Sequence, residues 1–337
     1  MLPWAPLAKF GLALRPLSDP SRLELIDIRI DALPRWVLTL LLSVANPHAV
    51  RHLVAHNCSG VTDQLLCRLC AAAPGIETMS LRSATDGGFT GHGVRLAALQ
   101  QLQLEGSGVD DEAVAQITAG CPALYGLTLV GAPRLCAVPV RSTSIRVVRL
   151  QRCERVSDAA IGAICEGCCG LEVLHIDECR ALTAPVLHSP TLTRLHLGEC
   201  SGLENAVLSG ACFRLPALSA LSVTYCSQPG LTFDDAAWPA SLRDIALDGC
   251  AALSDAALGR LSRMCSRLER LAARSCQQLQ APLVESISLT EIDFGSCEHL
   301  APSGVAVVLA GCPRLIRLEL GGCDQLQSQE LSQYVLD

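Results

Sequence analysis

Apolar residues recur along this chain at the first, fourth and sixth places of a nine-residue frame, with polar residues between them and a small residue at the ninth. Three successive copies are Ile145-x-x-Val148-x-Leu150-x-x-Cys153, Leu171-x-x-Leu174-x-Ile176-x-x-Cys179 and Leu192-x-x-Leu195-x-Leu197-x-x-Cys200. The alternation of buried and polar places across the middle of the frame is the period-two signature of a strand with one face packed.

Anchored on its ninth place, the frame falls at Cys58, Ala84, Ser107, Ala132, Cys153, Cys179, Cys200, Cys226, Cys250, Cys276, Cys297 and Cys323. The steps between these anchors are 26, 23, 25, 21, 26, 21, 26, 24, 26, 21 and 26 residues. Such a period identifies a leucine-rich-repeat solenoid, in which each unit packs only on its neighbours. An earlier unit fits as Leu23-x-x-Ile26-x-Ile28-x-x-Asp31, giving about thirteen repeats. The expected fold is an α/β curved horseshoe with a parallel sheet on its concave face and helices and extended segments on its convex face. Residues 1–20 read as a lead-in or partial repeat, and 21–337 as the solenoid.

Helices are expected where the step is long. After Cys153 comes Val156-Ser157-Asp158-Ala159-Ala160-Ile161, where Ser157 or Asp158 can cap a helix with an apolar face. The same signal stands at Val61-Thr62-Asp63 and Leu253-Ser254-Asp255, and Trp36–Ala45 reads as the helix of the first repeat. Steps of 21 residues lack room for a helix. Their prolines, as in Ala184-Pro185 and Ser189-Pro190, favour extended chain.

Composition narrows the function. Half the residues are apolar but only 3% aromatic, which suits stacked aliphatic side chains, and the net charge of −7 without a long basic run makes nucleic acid a poor partner. The longest apolar stretch is about half the ~20 residues a membrane span needs, so no membrane partner is expected. The nineteen cysteines fall mostly at fixed repeat places and are odd in number. They read as reduced buried thiols, which points to a cytoplasmic or nuclear location. A second set, Cys121, Cys168, Cys265 and Cys312, stands three residues before the next strand's first apolar place, where a helix would end.

Cys at the ninth place, a following Ser-Asp, and a Cys before the next strand together resemble the cysteine-containing leucine-rich repeats of F-box proteins. The clearest copies are Cys153-x-x-Val156-Ser157-Asp158 with Cys168 and Cys250-x-x-Leu253-Ser254-Asp255 with Cys265. That resemblance implies repeats that select a protein substrate for an SCF-type (Skp1-cullin-F-box) E3 ubiquitin ligase. No F-box is recognisable before the repeats begin, so Skp1 and cullin are expected partners only if an F-box lies outside this chain. The alternative is an F-box-free scaffold or assembly subunit, ciliary or cytoskeletal.

Side chains at the third, fifth and seventh places should line the concave face in columns about 4.8 Å apart. In the third-place column Asp244, Arg270, Glu291 and Arg317 alternate in sign and should pair with one another. Arg149, His175 and His196 occupy the fifth place, with Arg194 at the third and Asp177 at the seventh. These five form the candidate partner-binding set, biased positive and suited to an acidic segment because arginine holds carboxylates bidentately. No metal is expected at His175, His196 and Asp177, since histidines on such a face are usually solvated hydrogen-bonding groups. Cys67-x-x-Cys70 and Cys165-x-x-Cys168-Cys169 lack the second matched pair a zinc site needs. No nucleotide loop, nucleophile or carboxylate pair stands out, so neither cofactor nor enzyme activity is expected.

Overall fold

The computed structural model describes residues 22–26, 50–58, 61–83, 89–106, 108–209 and 213–326. These fall into two compact units, residues 1–156 and 157–337. The lead-in 1–20 and the helix expected over Trp36–Ala45 lie outside the described residues.

In the first unit six strands pair in parallel and in sequence order: β1 (Arg22–Ile26), β2 (His52–Cys58), β3 (Thr78–Ser83), β4 (Gln101–Glu105), β5 (Gly126–Val130) and β6 (Val147–Gln151). In the second, β7 (Val173–Asp177), β9 (Arg194–Gly198), β11 (Ala220–Thr224), β12 (Asp244–Ala246), β13 (Arg270–Ala272), β14 (Glu291–Asp293) and β15 (Arg317–Glu319) do the same. Together they are thirteen strands, matching the number of repeats. Two short strands, β8 (Leu187–His188) and β10 (Phe213–Arg214), form a separate parallel pair from the extended segments.

Register follows the frame. Leu102 pairs with Leu127, Leu127 with Val148, and Leu174 with Leu195, so equal places stack. Fourth- and sixth-place residues such as Leu104, Leu129, Leu150, Leu174 and Ile176 are fully buried. The first repeat departs from expectation: Leu23 pairs with Leu53, a fourth-place residue, rather than opening the frame. Leu23 and Leu25 fit the fourth and sixth places as acceptably as Ile26 and Ile28, and the pairing of β1 with β2 selects the former, opposite Leu53 and Ala55. The frame of that repeat therefore sits three residues earlier than the sequence suggested.

Five α-helices are described, each of ten residues: α1 (Asp63–Ala72), α2 (Asp111–Gly120), α3 (Asp158–Gly167), α4 (Asp255–Met264) and α5 (Pro302–Gly311). All lie in the 25- and 26-residue steps, as spacing predicts. Thr62, Asp110, Ser157 and Ser254 cap the first four by accepting from the backbone N–H three residues on, satisfying a donor that has no partner inside the helix. Cys121, Cys168, Cys265 and Cys312 are the C-terminal caps of α2 to α5. One long step fails to make an α-helix. Between Cys200 and Cys226 the described residues hold a 3-10 turn, Asn205–Leu208, and no α-helix.

The aspartate that opens each of α1 to α4 does something the sequence reading did not anticipate. It bonds not to its own helix but to the backbone of the next, shorter repeat. Asp63 accepts from the N–H of Thr90 and Gly91, and Asp111 from those of Cys136, Ala137 and Val138. Asp158 accepts from Thr183 and Ala184, and Asp255 from Gln280 and Ala281. Asn205 holds Thr232 and Phe233 in the same way, so the clamp persists where the helix does not. In these five places a long step supplies the acceptor that fixes the shorter one after it.

The ninth-place cysteines complete the strand ends. Each Sγ of Cys153, Cys226, Cys250, Cys276, Cys297 and Cys323 donates to a sixth-place carbonyl of the preceding strand, at 3.1–3.7 Å. There the chain turns away through a left-handed eighth residue, such as Arg152 (φ 53°), Glu199 (φ 49°) or Ser275 (φ 54°), and the carbonyl would otherwise be buried with a weaker complement of donors. The seventeen cysteines whose side chains are described are free thiols. Among the described residues no helix is long and apolar enough to cross a membrane.

Candidate functional site

The five residues singled out by their columns divide between the units. Arg149 stands on β6 of the first; His175 and Asp177 on β7 and Arg194 and His196 on β9 belong to the second.

In the second unit the pairing of β7 with β9 brings His175 opposite His196. The imidazoles stack with centroids 4.1 Å apart and planes 14° from parallel. His196 Nδ1 lies 2.9 Å from Ser222 Oγ on β11, and its Nε2 lies 3.8 Å from Asp177 Oδ1. Gly198 makes this possible: a Cβ at that place would run into both the Asp177 carboxylate and the His196 ring. Burial disfavours the charged imidazole and lowers the His196 pKa, against the opposing pull of Asp177. At neutral pH His196 is therefore an uncharged ring stacked on His175 with an acidic neighbour, and Arg194 is the exposed arginine of this set in the second unit. Arg194 is exposed and makes no ion pair among the described residues. The described residues hold no cluster of three or more His, Cys, Asp or Glu side chains arranged to take a metal ion.

Farther along the same unit, the alternating third-place column pairs only in part. Arg270 donates from Nε and Nη2 to Asp244 Oδ2, at 3.1 and 2.7 Å. Arg317 instead turns along its own strand to Glu319, at 2.8 Å, leaving the expected Glu291 partner. Arg243 contacts Glu269, and Arg274 lies 3.7 Å from Asp293. These surface pairs neutralise one another, each contributing about 0–1 kcal/mol.

The first unit presents a different surface. Along its fifth-place column stand Val54, Ser80, Gln103 and Thr128, all uncharged, before Arg149. They line a cavity of about 650 Å³ reaching from β2 to β6, with Tyr125 at its rim and Gly126 leaving room beside it. Tyr125, at a second place, escaped the column argument because that argument counted only third, fifth and seventh places. Its hydroxyl accepts from Gln101 Nε2, which holds the ring toward the groove. Arg149 is exposed, has no ion pair among the described residues, and is the only charged side chain lining the cavity among them. Glu105, at the seventh place, is already engaged by Arg82 at 3.4 Å and Arg152 at 3.1 Å.

The parallel sheets, the repeat register and the thiol-completed strand ends define a leucine-rich-repeat protein. A family model described as "FBD-associated F-box protein At5g56370, LRR repeats" matches residues 38–162, just over a third of the chain. Among solved structures, the complex of Rad7 and Elc1 in yeast contains a similar chain. That likeness has 15% identity and a TM-score of 0.42, covering 80% of this chain and 81% of the other. No curated protein matches the chain.

Proposed function

We propose that the chain is the substrate-recognition part of an SCF-type E3 ubiquitin ligase, gripping a protein on the concave face of its repeats. The odd-place side chains Arg149, His175, Asp177, Arg194 and His196 make the contact. One observation carries the choice of residues on that face. The arginines Arg82, Arg152, Arg270, Arg274 and Arg317 are engaged by carboxylates of this chain, whereas Arg149 and Arg194 are exposed and without an ion pair among the described residues. A partner carboxylate can pair with either of these two without displacing an existing bond. The ligase assignment rests on the F-box/LRR character of the repeats, and an interaction module of this kind has no catalytic role of its own.

The test is affinity purification of the full-length protein from cell extract, with mass spectrometry. The wild type should retain a set of proteins that Arg149→Glu with Arg194→Glu loses and Arg260→Glu, on α4, keeps. Skp1 and cullin in that preparation, unaffected by the double substitution, would support the ligase role. Partners lost by the double variant with Skp1 and cullin absent would point instead to an assembly subunit, ciliary or cytoskeletal. Loss on Arg260→Glu alone would move the working surface to the helices.

A further inference from the structure

We infer that the groove of the first unit captures the free C-terminal end of a partner polypeptide, with the terminal carboxylate on Arg149. The inference rests on the protein-binding reading above and narrows it to one chemistry.

From β2 to β5 the groove offers Ser80, Gln103 and Thr128, which can donate and accept hydrogen bonds but carry no charge, above the edges of buried Leu53, Met79 and Leu102. Its single formal charge, the Arg149 guanidinium, comes from β6, the last strand that lines it. A ligand complementary to this surface is uncharged over most of its length and carries one negative charge at one end. The end of a polypeptide chain has that distribution. It brings one carboxylate, whose two oxygens match the guanidinium fork, and its backbone N–H and C=O groups need the amide and hydroxyl partners that the fifth-place column supplies.

Size agrees. Four inter-strand steps of about 4.8 Å span roughly 19 Å, the length of about six extended residues. A cavity of about 650 Å³ lies within the range of built ligand sites, ~300–1,000 Å³. The second unit lacks this combination. Its C-terminal columns carry several charges, Arg270 paired with Asp244 and Arg317 with Glu319, and Arg194 stands between Val173 and Ala220 beside the column that holds the imidazole stack.

The probe is a pool of random hexapeptides built from Ala, Ser, Thr, Gln, Val and Leu, prepared with a free C-terminal carboxylate, with a C-terminal amide, or amidated with one internal Asp. Each pool is passed over the immobilised full chain at about 1 mM total peptide. The free-acid pool should be retained about tenfold or more over the amidated pool, as expected for loss of a charge-assisted hydrogen-bonded pair. Arg149→Gln should abolish that preference, Arg149→Lys should keep part of it, and Arg317→Gln should leave it intact. Arg149→Gln should melt with the wild type because its side chain is exposed, so lost discrimination cannot be ascribed to misfolding. Equal retention of free-acid and amidated pools, retention of the internal-Asp pool as strong as the free-acid pool, no retention of any pool, or a preference that survives Arg149→Gln would each overturn the inference. If protein partners are still lost by Arg149→Glu with Arg194→Glu while the peptide pools fail, the binding surface stands and only the terminal-carboxylate chemistry falls.

Discussion

Asp158 bonds to Thr183, twenty-five residues away in the next repeat, with Oδ2 accepting from the Thr183 hydroxyl at 2.6 Å and Oδ1 from its N–H at 2.9 Å. The adjacent Ser157 caps the helix that Asp158 opens, so two neighbouring polar residues serve different repeats. The Ser-Asp pair is thus a division of labour. One member starts a helix and the other holds the extended segment behind it.

Replacing each member separately should expose that division. Asp158→Ala removes three acceptor contacts to the following repeat and should cost about 1–3 kcal/mol, with faster amide exchange at Thr183 and Ala184. Ser157→Ala should cost about 1 kcal/mol and loosen the first turn of α3 instead. Asp158→Asn should be the mildest, because Asn205 performs the same task at its own position. Identical exchange patterns for the Asp158→Ala and Ser157→Ala proteins would refute the assignment.

Much of this architecture was legible in the sequence because a nine-place frame repeated at fixed spacing fixes strand, register and burial together. The frame failed where it was not repeated faithfully. At Leu23 two phases fit a short apolar run, and only pairing with β2 chooses between them. After Cys200 the spacing allowed a helix that local sequence does not support. The aspartate clamp had a visible signal, Asp or Asn at the head of each long step followed by a shorter one, but its meaning depends on a contact across repeats that no local pattern encodes. The candidate site was legible as columns. That His196 is buried enough to stay neutral, and that Arg149 ends an uncharged groove, follows from neighbours on three or more strands.

The ninth-place thiols should be chemically silent in the folded state. Burial pushes Cys200 and Cys276 up to about 12, and Cys226 and Cys297 up to about 11, from an ordinary value of 9.0. At pH 8, alkylation followed by mass spectrometry should label exposed Cys67 and Cys169 first and these four only after denaturation. The unfolded thiols ionise at lower pH than the folded ones, so the unfolded state binds fewer protons above pH 9. Stability should therefore be constant below about pH 9 with respect to these groups and fall as pH rises toward 12.

Substitution at Cys179 should separate size from charge. Its side chain is fully buried, with Sγ 3.4 Å from the Asp177 carbonyl. Cys179→Ser keeps a small donor and should be mild, whereas Cys179→Asp places a carboxylate where it must lose its solvation or take up a proton. Thermal melting should rank wild type, then Ser, then Asp, with the last widely separated. Coincident melting of the two variants would remove the argument that these places exclude charge.

The core itself should behave as a stack. Leu174 is fully buried and pairs with Leu195 on the next strand. Leu174→Ala should cost about 2–5 kcal/mol, and hydrogen exchange should rise in β9 as well as β7, since each repeat is supported by its neighbour. Glu172→Ala, at an exposed second place, should leave both strands unchanged.

The histidine pair offers the most discriminating test of the second unit's electrostatics. His196 sits between two opposing influences, burial that lowers its pKa and the Asp177 carboxylate that raises it, with burial the larger. Its titration, followed by NMR of the ring protons, should have a midpoint below the ordinary 6.5. Asp177→Asn removes the only raising influence and should move the midpoint lower still, while Gly198→Ala should push the Asp177 carboxylate aside and shift it in the same direction. The consequence for stability has a definite sign. As pH falls below 6.5 the unfolded histidine takes up its proton before the folded one does, so the folded state loses stability toward acid until His196 itself is protonated. Asp177→Asn should enlarge that loss by lowering the folded midpoint, even though it removes a charge from the surface. A midpoint that rises on Asp177→Asn would mean that the carboxylate does not face the ring in solution, and with it the account of why Gly198 occupies the seventh place would fail.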